Sequence, residues 1–246
     1  MKDLFSGQAK LYATFRPHYP DELFQFIIRH VPQRNLAWDC ATGNGQVAQH
    51  LSPHFKKIIA TDISHQQLEN AYRAGNIEYA QMPAEKTSFA DDQFDLITVA
   101  QALHWFDLSE FYNEVIRVGK KNAIIAVWGY NLCTIDPGID TMTNDFYHHV
   151  VGPYWDSARR HVEDAYAQLE FPFEMIEAPT FSMQTHWNLD QFTGYLSTWS
   201  ATQQYIKIKQ TSPVFQLKEK LKSLWRADEK KIINFPVFLK LGIIHR

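Results

Sequence analysis

The chain has 246 residues, of which 45% are hydrophobic and 21% are charged, a balance typical of one globular domain with a substantial core. Its formal net charge of −3 and its lack of a basic run disfavour a nucleic-acid partner. The sequence has neither the apolar core of a signal peptide nor a run of about 18 apolar residues, so we expect no membrane partner. The two cysteines, Cys40 and Cys133, lie far apart, as expected for a reduced, cytoplasmic protein without disulfides.

Short apolar runs alternate with helical patterns from residue 36 to about residue 129, and this alternation predicts βαβ units with a parallel sheet. The runs are apolar almost throughout, as in strands that are covered on both faces. The predicted strands are, in chain order, Leu36–Cys40, Lys57–Asp62, Ile77–Met82, Phe94–Ala100 and Asn122–Trp128.

Three helices are predicted between these strands. The first, "GQVAQHL", follows a glycine-containing turn, the second begins at Ser64 as N-cap, and the third begins at Ser109 as N-cap. A serine side chain at an N-cap accepts a hydrogen bond from the first turn of its helix. The polar segment 83–93 is too short for a long helix, and we predict a loop there.

The pattern changes after Trp128. Residues 131–169 predict a turn and two amphipathic helices, residues 173–187 a strand, residues 190–227 further helices, and residues 234–246 a last strand. We therefore expect a single α/β domain over residues 1–246 with a doubly wound sheet. Its core sheet would occupy about residues 34–130 and 228–246, and a helical cap, inserted in the late connections, about residues 131–227.

The stretch "WDCATGNGQVA", residues 38–48, leads from the first strand through a turn into a helix. Such a turn places backbone N–H groups at the carboxyl end of the strand, where they suit an anionic or carboxylate-bearing ligand. Asp62 ends the second strand, where its carboxylate can accept both hydroxyls of a ribose. "GNGQVA" also fits the dinucleotide fingerprint G-x-G-x-x-G/A, so an NAD-dependent oxidoreductase is an alternative.

Taken in order, "DCATGNGQ", "ATD", "PAEKTSFADDQFDLI" and "AQALHWFD" resemble the class I S-adenosylmethionine-dependent methyltransferases. More narrowly, "YATFRPHYP" and "GYLSTWSA" resemble the small-molecule (type 11) methyltransferases grouped with trans-aconitate methyltransferase. The resemblance implies a Rossmann-like sheet of seven mostly parallel strands with the last one antiparallel. It also implies S-adenosylmethionine as cofactor, S-adenosylhomocysteine as product and a small-molecule acceptor.

The same resemblance implies roles for individual residues. The turn passes beneath the methionine part of the cofactor, Asp39 faces its amino group, and Ile63 packs on the adenine. Glu85 either contacts the adenine edge or is a surface carboxylate, and the "RPHYP" segment either covers the cofactor or is simply a rigid extended stretch. The residues assigned to the cofactor are Tyr12, Arg16, Asp39, Ala41, Gly43, Gly45, Asp62, Ile63, Ala84, Glu85, Ala100 and Gln101.

Ala41 stands where the family usually has its first glycine. Alanine is strained at positive φ but fits at little cost at negative φ. We expect a negative φ at Ala41 and a functional turn. Gly43 and Gly45, where close approach of the backbone matters more, are both present.

His104 and Trp105 follow the fourth strand and, by resemblance, face the reactive methyl group. His104 either lines the acceptor pocket or acts as a general base, since an unperturbed imidazole titrates near neutrality. Trp199 and Tyr205 either contact the acceptor or belong to the core of the cap. The residues assigned to the acceptor are Tyr19, His104, Trp105, Trp199 and Tyr205.

The predicted function is transfer of the methyl group of S-adenosylmethionine to a small molecule by in-line displacement. A carboxylate acceptor is favoured because it needs no base, and the motifs contain no obvious Asp–His or Lys dyad. No metal is expected, since His148, His149 and His186 lack companions at ligand spacing. We expect a monomer or homodimer, and a non-catalytic module that binds the cofactor is a second alternative.

Overall fold

The five predicted strands of the first half form one parallel sheet in the computed structural model, which describes residues 17–226 and 228–245. Across the sheet, these strands follow the order third, second, first, fourth and fifth along the chain, so the first strand lies in the middle of the five. This order confirms the predicted doubly wound arrangement. The strands are β1 (Leu36–Cys40), β2 (Lys57–Asp62), β3 (Ile77–Gln81), β4 (Phe94–Ala100) and β5 (Gly119–Tyr130).

The predicted helices of this half are present, with one change at an N-terminus. Ser64 caps its helix as predicted, since its side chain accepts a hydrogen bond from the Gln67 N–H. The third helix begins one residue before Ser109, because the carboxylate of Asp107 accepts the Glu110 N–H and is the N-cap. The prediction of Ser109 as the cap was therefore wrong. The helices are α1 (Asp21–Arg29), α2 (Gln46–Leu51), α3 (His65–Glu69) and α4 (Leu108–Val118), with a 3-10 turn at Leu103–Trp105.

The sheet has eight strands, one more than expected, because residues 173–187 form two strands rather than one. These are β6 (Glu174–Ile176) and β7 (Phe181–Trp187), which are separated by the segment "EAPT". The last strand, β8 (Lys231–Ile243), runs antiparallel to β5, as predicted. Along its other edge β8 pairs with β7 over its first half and with β6 near its end.

The helices of the second half lie between β5 and β8. Three of them follow β7, and the remainder form a short helical stretch between β5 and β6 that contains a π-helical turn at Phe146–Val150. The α-helices are α5 (Pro137–Asp145), α6 (Arg159–Glu163), α7 (Leu189–Ser197), α8 (Ser200–Lys209) and α9 (Pro213–Leu221).

Apolar side chains cover both faces of the central strands. Trp38 of β1 is fully buried in a cluster with Phe94 and Phe111 on one face. Trp128 of β5 is fully buried in the second cluster, which also receives the apolar sides of α1, α2 and the late helices. Because β1, β2 and β4 are parallel, their carboxyl ends lie at the same edge of the sheet. The turn after β1 and the 3-10 segment after β4 begin at this edge.

Candidate active site

The turn after β1 contains three residues in the left-handed region. Their φ angles are +53° at Ala41, +56° at Gly43 and +80° at Gly45. The prediction of a negative φ at Ala41 was therefore wrong. The residue after it, Thr42, donates its N–H to the carbonyl of Thr61 at 2.9 Å. The left-handed residue Ala41 therefore directly precedes the last backbone–backbone hydrogen bond between this segment and β2.

Gly43 and Gly45 are required for different reasons. A Cβ at Gly45 would lie 2.3 Å from the hydroxyl oxygen of Tyr79, so this glycine allows close approach of a side chain as well as a positive φ. A Cβ at Gly43 would have no heavy atom within 4 Å, so only its backbone angle favours glycine. Open space in front of Gly43 leaves the turn accessible to a ligand.

Asp39 is the buried carboxylate that holds the turn. It is 1% exposed and accepts hydrogen bonds from Thr98 Oγ1 at 2.9 Å, from the Ala48 N–H at 3.1 Å and from Thr42 Oγ1. Burial raises its pKa to about 6, although these donors act in the opposite direction. Asp39 thus connects β1, β4 and the first turn of α2.

Asp62 is held at the end of β2 by two backbone donors. Its Oδ2 accepts the Gly43 N–H at 2.9 Å, and its Oδ1 accepts the Ser64 N–H at 2.8 Å. A carboxylate has about four lone-pair sites, so each oxygen can accept more than one donor. The carboxylate is therefore fixed in direction beside the turn, and Ile63, half-buried, follows it.

A first cavity, which we call the turn cavity, lies against the glycine-containing turn. Six of the predicted site residues line it, together with Thr42, Gln46 and Tyr130. The six are Tyr19, Asp39, Ala41, Gly43, Ala100 and Gln101. Five of them were assigned to the cofactor, whereas Tyr19 was assigned to the acceptor.

The two residues predicted at the adenine edge lie in the loop 82–93, which has neither helix nor strand, as predicted. Ala84 is buried at 2% exposure. Glu85 is partly exposed and its Oε1 accepts the backbone N–H of Asp107 at 3.3 Å. Glu85 therefore connects this loop to the beginning of α4.

A second cavity, which we call the aromatic cavity, lies beside the first. Gln101 and Tyr130 line both, so the two cavities adjoin at these residues. Gln101 has a φ of +56° and donates through Nε2 to the carbonyl of Tyr130 at 3.0 Å, which fixes it at the junction. The other lining residues are His104, Trp105, Trp155, Asp156, Arg159, Tyr195, Trp199 and Ser200.

Three of the residues predicted for the acceptor line the aromatic cavity: His104, Trp105 and Trp199. Tyr205 is not among its lining residues and packs against Tyr154, with ring centroids 5.0 Å apart. Tyr12 and Arg16 lie outside the described residues.

His104 is paired with Tyr166, which sequence reasoning missed. Its Nδ1 lies 2.8 Å from Tyr166 Oη, and Tyr166 has no accessible surface. Burial lowers the pKa of His104 to about 3, and the neighbouring charge of Arg159 acts in the same direction. Ala165 and Tyr166 are consecutive left-handed residues, with φ of +51° and +57°. No feature of "EDAYAQL" indicates that contact with His104.

Arg159, at the start of α6, is a second missed residue. Its guanidinium carbon lies 5.2 Å from the ring centroid of Trp155 and 6.0 Å from that of Tyr147. Its Nε donates to Tyr147 Oη at 3.1 Å, and Tyr147 in turn donates to Glu163. The sequence "SARRHVED" shows two arginines but does not indicate which one faces a cavity.

Two further findings concern the part of the chain that the structure describes. In residues 17–226 and 228–245, no group of three or more His, Cys, Asp or Glu side chains is placed to hold a metal ion. Among the same residues, no helix combines the length and the apolar character that crossing a bilayer requires.

The chain is similar to known proteins over nearly its whole length. Residues 38–127 match the family model described as a methyltransferase domain. Over 248 aligned residues, the chain is 35% identical to a Dictyostelium discoideum protein that carries the name of a methyltransferase, with 98% of this chain and 94% of that protein covered. A solved structure described as a type II methyltransferase from Anaeromyxobacter dehalogenans is 34% identical, with a TM-score of 0.86, and 94% of this chain and 99% of that one are covered.

A more distant structure shares the fold alone. It is the phosphoethanolamine N-methyltransferase 2 of Haemonchus contortus, solved with phosphomonomethylethanolamine and S-adenosylhomocysteine, at 14% identity and a TM-score of 0.51. That match covers 98% of this chain and 58% of the other. These matches favour a methyltransferase over the NAD-dependent oxidoreductase. At the identity and coverage of its two nearly full-length relatives, the chain belongs to the class I S-adenosylmethionine-dependent methyltransferases.

Proposed function

We propose that this enzyme binds S-adenosylmethionine in the turn cavity and transfers its methyl group to a small molecule in the aromatic cavity. The observation that carries the proposal is the junction of the two cavities at Gln101 and Tyr130. A donor in one cavity and an acceptor in the other would meet there without crossing the protein. This arrangement corresponds to the proximity that an in-line methyl transfer requires.

The residues of the turn fit the proposed cofactor. Gly43 leaves open space in front of the backbone, and Asp62 presents a carboxylate whose direction is fixed by the Gly43 and Ser64 N–H groups. A fixed carboxylate beside a glycine turn suits a ribose, because its two oxygens can accept hydrogen bonds from both ribose hydroxyls. Asp39, which also lines the turn cavity, would face the amino group of the methionine part. Ile63, Ala84 and Glu85 would lie along the adenine.

When bound, S-adenosylmethionine supplies a methyl group on a sulfonium, so that a bond forms from the acceptor atom to the methyl carbon while the carbon–sulfur bond breaks and its electron pair stays on sulfur. The protein's own contribution is to orient the acceptor and to exclude water. Gln101 is fixed at the junction by its bond to the Tyr130 carbonyl. Trp105, Trp155 and Trp199 form apolar walls around the reacting atoms.

A carboxylate-bearing acceptor is supported by Arg159. Its guanidinium stacks on Trp155 and is anchored through Nε on Tyr147, and its two terminal nitrogens form no hydrogen bond within the described residues. A planar guanidinium held in this way binds a carboxylate through paired hydrogen bonds. A carboxylate oxygen is already nucleophilic, so its methylation releases no proton and requires no base.

The late segment, residues 131–227, would form most of the acceptor site. It contributes Trp155, Asp156, Arg159, Tyr195, Trp199 and Ser200 to the aromatic cavity. The remaining lining residues come from β5 and from the segment after β4, which includes the 3-10 turn. The same segment also carries β6 and β7, which belong to the sheet.

Two measurements test the proposal. Calorimetry should show binding of S-adenosylhomocysteine to the protein alone. An assay of S-adenosylhomocysteine formation, run over a panel of aromatic and aliphatic carboxylic acids, phenols and amines, should show turnover with at least one carboxylic acid. Binding without turnover across the whole panel would favour a non-catalytic module, and absence of binding would contradict the proposal.

A further inference from the structure

Tyr166 and His104 form a hydrogen-bonded pair beneath the aromatic cavity. We infer that Tyr166 is a positioning residue that holds His104 as a neutral imidazole with its hydrogen on Nε2, so that His104 donates a hydrogen bond into the cavity and is not a general base. The pair is built from distant parts of the chain, since His104 lies just after β4 and Tyr166 just after α6. The inference rests on the proposed function only for the identity of the atom that receives this bond.

The direction of the bond follows from the surroundings of Tyr166. Its hydroxyl is fully buried, and His104 Nδ1, at 2.8 Å, is the one hydrogen-bond acceptor that the described residues offer to it. The hydroxyl hydrogen is therefore directed to Nδ1, because a hydrogen on Nδ1 would leave the buried hydroxyl hydrogen without an acceptor.

Burial is the main reason why His104 stays neutral, since it lowers the pKa of the imidazole. Arg159 and His161, both from α6, disfavour a positive imidazole, and Asp156 alone acts in the opposite direction. Tyr166 contributes no negative charge, since burial raises the pKa of its hydroxyl above the ordinary value. A neutral imidazole whose Nδ1 accepts a hydrogen bond must carry its hydrogen on Nε2.

The Nε2 atom of His104 is available to a molecule in the aromatic cavity. It forms no hydrogen bond within the described residues, and it is not one of the fully buried polar atoms that lack a partner. His104 lines the aromatic cavity, so the accessible side of its ring is the one that carries Nε2. An acceptor placed in this cavity would meet a hydrogen-bond donor there.

The backbone that delivers Tyr166 is itself unusual. Ala165 and Tyr166 both adopt left-handed angles, and the Tyr166 N–H donates to the His161 carbonyl at 2.7 Å. Two consecutive left-handed residues with side chains are unfavourable and persist where surrounding contacts enforce them. In this chain the enforced conformation turns the phenol beneath His104, where its ring packs edge-to-face on Phe238, with centroids 5.0 Å apart.

This pairing narrows the acceptors that the enzyme can methylate. With Arg159 and His104 both donating into one cavity, a carboxylate would be held by hydrogen bonds from both side chains and attack through an oxygen lone pair that these donors do not use. A protonated amine could not transfer its proton to the hydrogen-bearing Nε2 of His104 and would face the charge of Arg159. A phenol would likewise keep its proton unless it were acidic enough to ionise in solution.

Nuclear magnetic resonance tests the inference without turnover. In uniformly ¹⁵N-labelled protein, long-range proton–nitrogen correlations report which ring nitrogen of a histidine carries hydrogen, and the His104→Gln variant identifies the signals of His104. We expect a protonated Nε2, an unprotonated Nδ1 and no titration between pH 5 and pH 8. A hydrogen on Nδ1, or titration within that range, would overturn the inference.

Two tyrosine variants separate positioning from loss of a buried hydroxyl. Tyr166→Phe should mix the two tautomers of His104 and lower kcat by about tenfold, with KM for S-adenosylmethionine unchanged. Tyr112→Phe is the matched control, because Tyr112 is also buried but donates to the carbonyl of Glu170 at 2.7 Å, and it should leave the His104 signals as they are. Equal His104 spectra in the wild type and in Tyr166→Phe would contradict the proposed role.

The outcomes for this inference and for the proposed function can be told apart. If the spectra show the expected tautomer while no acceptor is methylated, the positioning role of Tyr166 stands and the proposed function fails. If a carboxylic acid is methylated while His104 titrates near neutrality, the proposed function stands and the positioning role fails.

Discussion

The carboxylate of Asp62 accepts the backbone N–H of Gly43 at 2.9 Å, so the end of β2 holds the turn that follows β1. The same carboxylate accepts the N–H of Ser64 with its other oxygen, which fixes both oxygens relative to the sheet. The side chain that we propose to bind the ribose therefore also holds the turn in its shape.

Replacement of Asp62 should weaken cofactor binding. We expect Asp62→Ala to lower the affinity for S-adenosylhomocysteine at least tenfold, since a charge-assisted hydrogen bond contributes about 1.5–3 kcal/mol. Asp62→Asn, which keeps one acceptor oxygen, should show a smaller loss. The measurement is isothermal calorimetry.

The control for Asp62 is Glu78→Ala, which removes an exposed carboxylate of β3 that pairs with Lys57. Its affinity for S-adenosylhomocysteine should equal that of the wild type. Unchanged affinity in Asp62→Ala would rule out the ribose assignment.

The left-handed angle of Ala41 predicts an opposite response at two positions of the turn. Ala41→Gly should raise the free energy of unfolding by about 1 kcal/mol, because glycine adopts positive φ without a steric penalty. Gly43→Ala should lower it by about 1 kcal/mol, although nothing lies within 4 Å of the added methyl group. Urea unfolding of the protein without ligand measures the free energy of unfolding of both variants. Destabilisation by Ala41→Gly would contradict a positive φ at Ala41.

Asp39 makes stability depend on pH. Its pKa in the folded protein, about 6, lies above the unfolded value. Its favourable contribution is therefore complete below pH ~4 and is lost as the pH rises through 6. Two pKa units correspond to on the order of 3 kcal/mol, as an upper value.

The Asp39→Asn variant isolates this effect, since asparagine does not titrate. Unfolding in urea at several pH values between 4 and 7.5 should show the wild type losing stability relative to the variant as the pH rises. If the difference in free energy of unfolding between the two proteins does not change with pH, the pKa of Asp39 is not raised in the folded protein.

Arg159 should determine the preference for a carboxylate acceptor. We expect Arg159→Gln to raise the KM for a methylated carboxylic acid about tenfold or more, with S-adenosylhomocysteine affinity unchanged. Arg159→Lys should restore part of the loss, since a lysine keeps the charge but not the paired geometry. Arg160→Gln is the control, because Arg160 is exposed, next in the chain and absent from the aromatic cavity. Equal KM values for both glutamine variants would exclude the role of Arg159.

Much of the first half of the fold could be predicted from local patterns. β1, β2 and β4 have the predicted bounds, since each is a short apolar run that ends at a polar or small residue. The N-cap at Ser64 could also be predicted from local sequence. At the beginning of α4, Asp107 and Ser109 both have side chains that can cap a helix, and local sequence does not rank them. The break between β6 and β7 depends on pairing with β8, which is distant in sequence.

The candidate site was predictable only where a motif carries it. Asp62, Gly43 and Gln101 belong to motifs with known positions. Gly43 and Gln101 line the turn cavity, and Asp62 accepts the Gly43 N–H beside it. Arg159 and Tyr166 belong to a helical segment without a motif, and tertiary packing alone decides which of its side chains face His104. The φ angle at Ala41 was predicted wrongly for a related reason. The next residue, Thr42, bonds to Thr61 of β2, and this contact with another strand is not visible in the local sequence.

The position of β8 has a consequence for how this protein forms during translation. Strands β1 to β5 pair with one another and can assemble while the ribosome is still extending the chain, at about 5–20 residues per second. Among the described residues, β6 and β7 pair only with β8, so their backbone groups have no strand partner there until residues 231–243 have been synthesised. For several seconds a nascent chain would therefore expose two unpaired strands and one open sheet edge. That interval is when a chaperone would be most needed.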